Sequence, residues 1–163
     1  MAIDLSFLDT YPEKIQTKIH TLIEEEGLEE YIRELYPENH KIITDKELFE
    51  YVQDLRKKYM KKAPPAHKVV FDDSNSTVYY PLGLKDNELI LNDNGHKIKN
   101  VMRIASLYKN APLELFHMVV AHELAHTKER EHDNNFFRLC HHLDGDYSQH
   151  EFDLRLFLIS QGF

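Results

Sequence analysis

Residues 117–137 read HMVVAHELAHTKEREHDNNFF, and the succession of residue types in this stretch decides what fold the chain needs. The first half is apolar enough for a half-buried helix, and HELAH at 122–126 has the form H-E-x-x-H. On an α-helix, residues four apart are offset by about 40° and stacked one turn apart. His122 and His126 can therefore aim both imidazoles at one ion. Glu123 lies about 100° round from His122, so its carboxylate reaches the water that an ion activates rather than the ion itself. In this motif the histidines are zinc ligands and the glutamate is the general base. The competing reading is a pair of core histidines satisfied by neighbouring backbone, since unpaired ring nitrogens on a half-buried helix are costly.

A third ligand has to come from further along. His132 would sit about 15 Å beyond His122 if the helix ran on unbroken, too far for imidazoles with Zn–N bonds of about 2.1 Å to share one ion. The helix must end between His126 and His132 for His132 to serve. TKERE at 127–131 contains no Gly or Pro to stop it, but Asp133, Asn134 and Asn135 are N-cap types ahead of a fresh apolar run, FFRLC. The expectation is a break, with His132 as third ligand. Glu151 is the rival, although Ser148–Glu151 also spells a capping box for a last helix. Asp153 is a candidate acceptor for orienting a ligand imidazole. His117, His141, His142 and His150 read as surface or supporting residues.

Upstream, residues 12–36 have the stripe of an amphipathic helix with a break or kink at Gly27. A second helix should start at Thr44, where TDKE has capping-box form, and stop before Pro64-Pro65. KVVFDD (68–73), STVYYPL (76–82) and ELILND (88–93) read as three short strands of an antiparallel or mixed sheet. VMRIASLYK (101–109) reads as helix, followed by a longer helix from Pro112 through HELAH and two more near 134–143 and 149–160. The fold class is α+β: a helical N-terminal region at 1–63 packed on a domain at 64–163, together one compact unit.

Composition narrows the function. The 163 residues carry a formal net charge of −8, poorly suited to gripping phosphate backbones, so direct nucleic-acid binding is not expected. The acidic run EEEGLEE at 24–30 reads as a solvated helix face. A single cysteine, Cys140, excludes an internal disulfide framework, no apolar run would span a bilayer, and the first residues do not resemble a secretion signal. The cytoplasm is the expected compartment, with no membrane partner. Six of the eleven histidines fall between His117 and His142, which concentrates the chemistry there.

HMVVAHELAHTKEREHDNNFFRLCHHLDGDYSQHEFDLRLFL resembles the bacterial YgjP-like metallopeptidase family, allied to the WLM and SprT zincin-like domains. The resemblance covers roughly residues 100–160 and is looser over the strands before it. It implies a zincin-like fold with the small sheet packed on the HELAH helix. It also implies one zinc held by His122, His126 and His132, with Glu123 catalytic. A W-G-S motif common ahead of the site in relatives is missing, because the chain has no Trp. The spacing is also that of the metzincins, but Glu129 stands where their glycine would be and no methionine follows Met118.

Three functions follow. The first is a zinc metallopeptidase in which Glu123 deprotonates the attacking water, with Tyr147, Arg155 or His141 as candidate oxyanion donors and a strand near 88–92 pairing with an extended peptide. The second is a metal-dependent hydrolase of a small molecule such as a nucleotide phosphoanhydride, with Lys68, Arg103 or Arg138 supplying positive charge. The third is a non-catalytic metal-binding module. Structural zinc sites are usually rich in cysteine, and a structural site has no need of Glu123, so the enzyme readings lead.

Overall fold

The computed structural model describes residues 5–66, 68–82 and 101–163. Its helices among these are α1 (Glu13–Glu24), α2 (Leu28–Leu35), α3 (Asp45–Tyr59), α4 (Leu113–Ala125), α5 (Asn134–Leu143) and α6 (Tyr147–Ser160). Strands β1 (Lys68–Asp72) and β2 (Val101–Ala105) form a two-stranded parallel sheet in which Lys68 faces Val101 and Asp72 faces Ala105. The fold is α+β, as expected. The expected third strand, 88–93, lies outside the described residues.

Helix α4 sets the architecture. From Leu115 to Ala125 every residue but His117 is buried, so the helix is apolar on nearly all sides and needs neighbours all round. It is packed against α3, α5, α6 and β2. The N-terminal helices join the same core, α2 against α6 and α3 against β1. His40 shows how a core histidine is accommodated here: it stacks on Phe116 with ring centroids 3.7 Å apart, and its Nε2–H donates to the Tyr108 carbonyl at 2.6 Å.

Several local expectations hold. The 12–36 stretch splits into α1 and α2, but the left-handed residue at the break is Glu26 (φ 55°), not Gly27. The Gly27 N–H then closes onto the Leu22 carbonyl at 2.8 Å. Thr44 and Glu47 form the expected reciprocal capping box at the start of α3.

Others are corrected. STVYYPL is not a strand but two 3₁₀ turns, Asn75–Thr77 and Tyr80–Leu82. Pro81 has no N–H to give a ladder, and the backbone is satisfied locally instead, with Leu82 N donating to Tyr79 O at 3.1 Å. VMRIASLYK is not a helix but β2 followed by a 3₁₀ turn at Ser106–Asn110. A short apolar run fits either period, and pairing with β1 decides the outcome. The β1–β2 pair is parallel rather than antiparallel, in keeping with the long connection between the strands. Finally, α6 begins at Tyr147, one residue before the start of the proposed capping box, so Ser148 lies inside the helix and does not cap it.

Candidate metal centre

Helix α4 ends at Ala125, with His126 as its C-cap. Three backbone bonds of a tightening turn follow: Thr127 N to Leu124 O, and Lys128 N and Glu129 N to Ala125 O. The chain then reverses, and α5 starts at Asn134 with Asp133 as N-cap, its carboxylate accepting from Phe136 N at 3.0 Å. Terminating one helix and capping the next within this span returns His132 to the pair on α4. His126 Nε2 lies 3.1 Å from His122 Nε2 and 3.0 Å from His132 Nε2. The Phe136 ring packs against all three imidazoles, its centroid 4.9 Å from His122, 4.4 Å from His126 and 5.0 Å from His132.

Hydrogen-bond accounting shows what this triad is suited to hold. His126 Nδ1 lies 3.0 Å from the Glu129 carbonyl, which can only accept, so Nδ1 carries the proton. In neutral His126 the Nε2 is then a bare lone pair facing two other Nε2 atoms. A proton could bridge them, but His122 is a poor host for positive charge. Burial, and then the neighbouring His126 and His132, hold its pKa well below 6.5. A divalent cation removes the conflict. Tetrahedral ligands at about 2.1 Å stand roughly 3.4 Å apart, so the observed spacings need open by only a few tenths of an ångström. The three ring nitrogens fit a metal, and three ligands leave a fourth position for water or substrate.

Glu123 is buried, at 4% exposure. Its carboxylate is close enough to add to the burial that pushes up the pKa values of Tyr108, Cys140 and Tyr147, that of the Cys140 thiol to about 12. Tyr147, from α6, places its hydroxyl 2.7 Å from His122 Nδ1. A cavity of about 150 Å³ opens beside the triad, lined by His122, His132, Tyr147 and Glu151 and walled by Pro81, Leu82 and Phe137. A larger cavity, about 360 Å³, lies among Ile32, Tyr36, Pro112 and Phe157 and contains none of the triad.

The other sequence candidates are dispersed. Glu151 reaches the cavity wall but pairs with Arg155, Oε1 to Nη2 at 2.7 Å, and is not grouped with the three histidines. Asp153 faces away from the triad, accepting from the Tyr36 hydroxyl and from Gln149. The group beside His122 Nδ1 is the Tyr147 hydroxyl, not the Asp153 carboxylate. Arg155 lies over the Tyr11 ring at 5.7 Å. His141 meets Ser148 at 3.1 Å, and His117 bridges Tyr51 and the Leu143 carbonyl at 2.7 and 2.9 Å. His150 pairs with Asp144 at 2.6 Å. Lys68, Arg103 and Arg138 do not line the cavity. Sequence reasoning missed Phe136 as the floor under the triad and Pro81–Leu82 as its wall. The position of Phe136, fourth after His132 at the start of a new helix, was the one available signal.

Three histidines that could hold a metal ion thus stand together at the end of α4, beside the buried Glu123. The segment 97–156 matches the YgjP-like, metallopeptidase domain family. A protein of Escherichia coli (strain K12) named UTP pyrophosphatase is 39% identical over 155 residues, covering 95% of this chain and 93% of that protein. The chain belongs to the YgjP-like family. No solved structure is significantly similar to it. None of the described helices is long and apolar enough to cross a membrane.

Proposed function

We propose that the chain is a zinc-dependent hydrolase of a nucleoside triphosphate, cleaving the α–β phosphoanhydride in a zincin-like arrangement of helix and small sheet. The observation that carries this reading is the extent of the likeness to the UTP pyrophosphatase, which spans 95% of the chain and not only the metal-binding segment. Substrate would come from a pool of small soluble molecules, in keeping with a cytoplasmic location and with no nucleic-acid or membrane partner.

Zinc held by His122, His126 and His132 would supply Lewis-acid polarisation and a water of lowered pKa. Glu123 would serve as the base for the water that attacks the α-phosphorus and would return a proton to the pyrophosphate oxygen as the bond to that phosphorus breaks. Burial of Glu123 keeps this exchange away from bulk water. Phe137, 37% exposed beside the cavity, and the Pro81–Leu82 wall offer apolar surface for a base. No Lys or Arg lines the cavity among the described residues.

A second reading rests on the family's own description as a metallopeptidase domain. The same metal and Glu123 would direct water at a peptide carbonyl. The strand expected to pair with such a peptide, 88–92, lies outside the described residues.

The two are separated by offering zinc-loaded protein UTP, other nucleoside triphosphates and a mixed peptide library, with Glu123→Gln as blank. Release of nucleoside monophosphate and pyrophosphate above the blank is expected. Glu123-dependent peptide cleavage without pyrophosphate release would overturn the nucleotide reading in favour of the peptidase.

A further inference from the structure

Behind the histidine triad lies a buried contact that the proposed reaction does not use. Tyr147 is 1% exposed. The Tyr147 hydroxyl lies 2.7 Å from His122 Nδ1. We infer that Tyr147 is a positioning residue for the metal, accepting the His122 Nδ1 proton. The inference rests on the metal reading of the triad but not on the choice between nucleotide and peptide.

The direction of the contact follows from valence. When His122 Nε2 is committed to an ion, neutral imidazole keeps its proton on Nδ1, which must donate. The role left to the Tyr147 oxygen towards His122 is to accept.

Metal-bound histidines commonly lean on a carboxylate. Here two of the three lean on neutral groups, His122 on a phenol and His126 on the Glu129 carbonyl. A neutral support fixes the tautomer without offsetting the charge of the ion.

The test reads metal affinity rather than turnover. Tyr147→Phe keeps the ring and removes the acceptor. Loss of such support weakens metal binding about 10–100-fold, measured by zinc competition with a chromophoric chelator. Cobalt-substituted protein should show a changed visible ligand-field spectrum. If a variant fails to fold, nitrogen-15 histidine spectra of zinc-loaded wild type decide instead. A His122 Nδ1 proton correlated with the Tyr147 hydroxyl is expected. Wild-type zinc affinity and cobalt spectrum in folded Tyr147→Phe, or no proton on His122 Nδ1 in the loaded protein, would overturn the inference. Zinc absent from wild type altogether would defeat the metal reading itself, a distinguishable result.

Discussion

Replacing Asp133 by alanine tests how the third ligand is brought home. Its carboxylate accepts from Phe136 N at 3.0 Å and so caps α5 from the residue directly after His132. Loss of an N-cap of this kind costs about 1 kcal/mol, within a range of roughly 0.5–2. For a chain of this size that lowers Tm by about 2–4 °C. The same loosened turn carries Phe136, whose ring packs on all three imidazoles at 4.4–5.0 Å. If the cap energy is spent on holding that geometry, zinc affinity falls about fivefold, since 1.4 kcal/mol is tenfold. Scanning calorimetry of metal-free protein and chelator competition measure the two effects. Asp133→Asn is the control, because Asn caps about as well as Asp and should leave both quantities near wild type. Asp133→Ala with unchanged Tm and zinc affinity would refute the capping argument. Asn behaving as badly as Ala would show that the charge, and not the cap, matters.

Three further outcomes are expected. Glu123→Gln should retain zinc, by metal analysis, while turnover falls about 10²–10⁴-fold, the scale of a lost general base; a variant of near wild-type activity would contradict the assigned role. Phe137→Ala should raise KM for UTP with little change in kcat, and leave inorganic tripolyphosphate, which has no base, unaffected; an equal effect on both substrates would count against the base-contact reading. His150 gives a pH dependence. Burial alone would lower its pKa, but Asp144 at 2.6 Å, with Asp146 and Asp153, raises it above 6.5 on balance. A raised folded value means that the pair's stabilisation is fully present below 6.5 and lost as pH rises through the folded pKa. The Tm deficit of His150→Gln should accordingly be largest in mildly acidic buffer and shrink in alkaline buffer; a deficit that grows with pH would reverse the sign of the argument.

Much of the centre was legible because it is written in local chemistry. The His122–His126 spacing follows from helix geometry alone. The turn-back of His132 followed from the caps at 133–135, although TKERE offered no breaker. Thr44 and the Glu26–Gly27 break were legible for the same reason, since caps and helix stops act over a few residues. What failed were elements decided by distant partners. VMRIASLYK carries Ile104 and Met102 on a pattern that suits either period, and only β1, some thirty residues earlier, makes it a strand. STVYYPL has the β-branched and aromatic look of a strand, yet Pro81 leaves it no ladder to join. Asp153 was named as the support of a ligand because it is a carboxylate at a plausible distance in sequence. The fold sets the Tyr147 hydroxyl beside His122 Nδ1 instead and turns Asp153 toward Tyr36, the C-cap of α2. Nothing in the local sequence of α6 says which of its faces meets α4.

The most direct test of the central claim is metal content by mass spectrometry on untagged wild type, His132→Ala and Glu151→Ala. Roughly one zinc per chain is the stoichiometry expected of a three-ligand open site, lost in His132→Ala and kept in Glu151→Ala. Zinc kept in His132→Ala and lost in Glu151→Ala would contradict it, as would a folded wild type that takes up no stoichiometric metal on reconstitution.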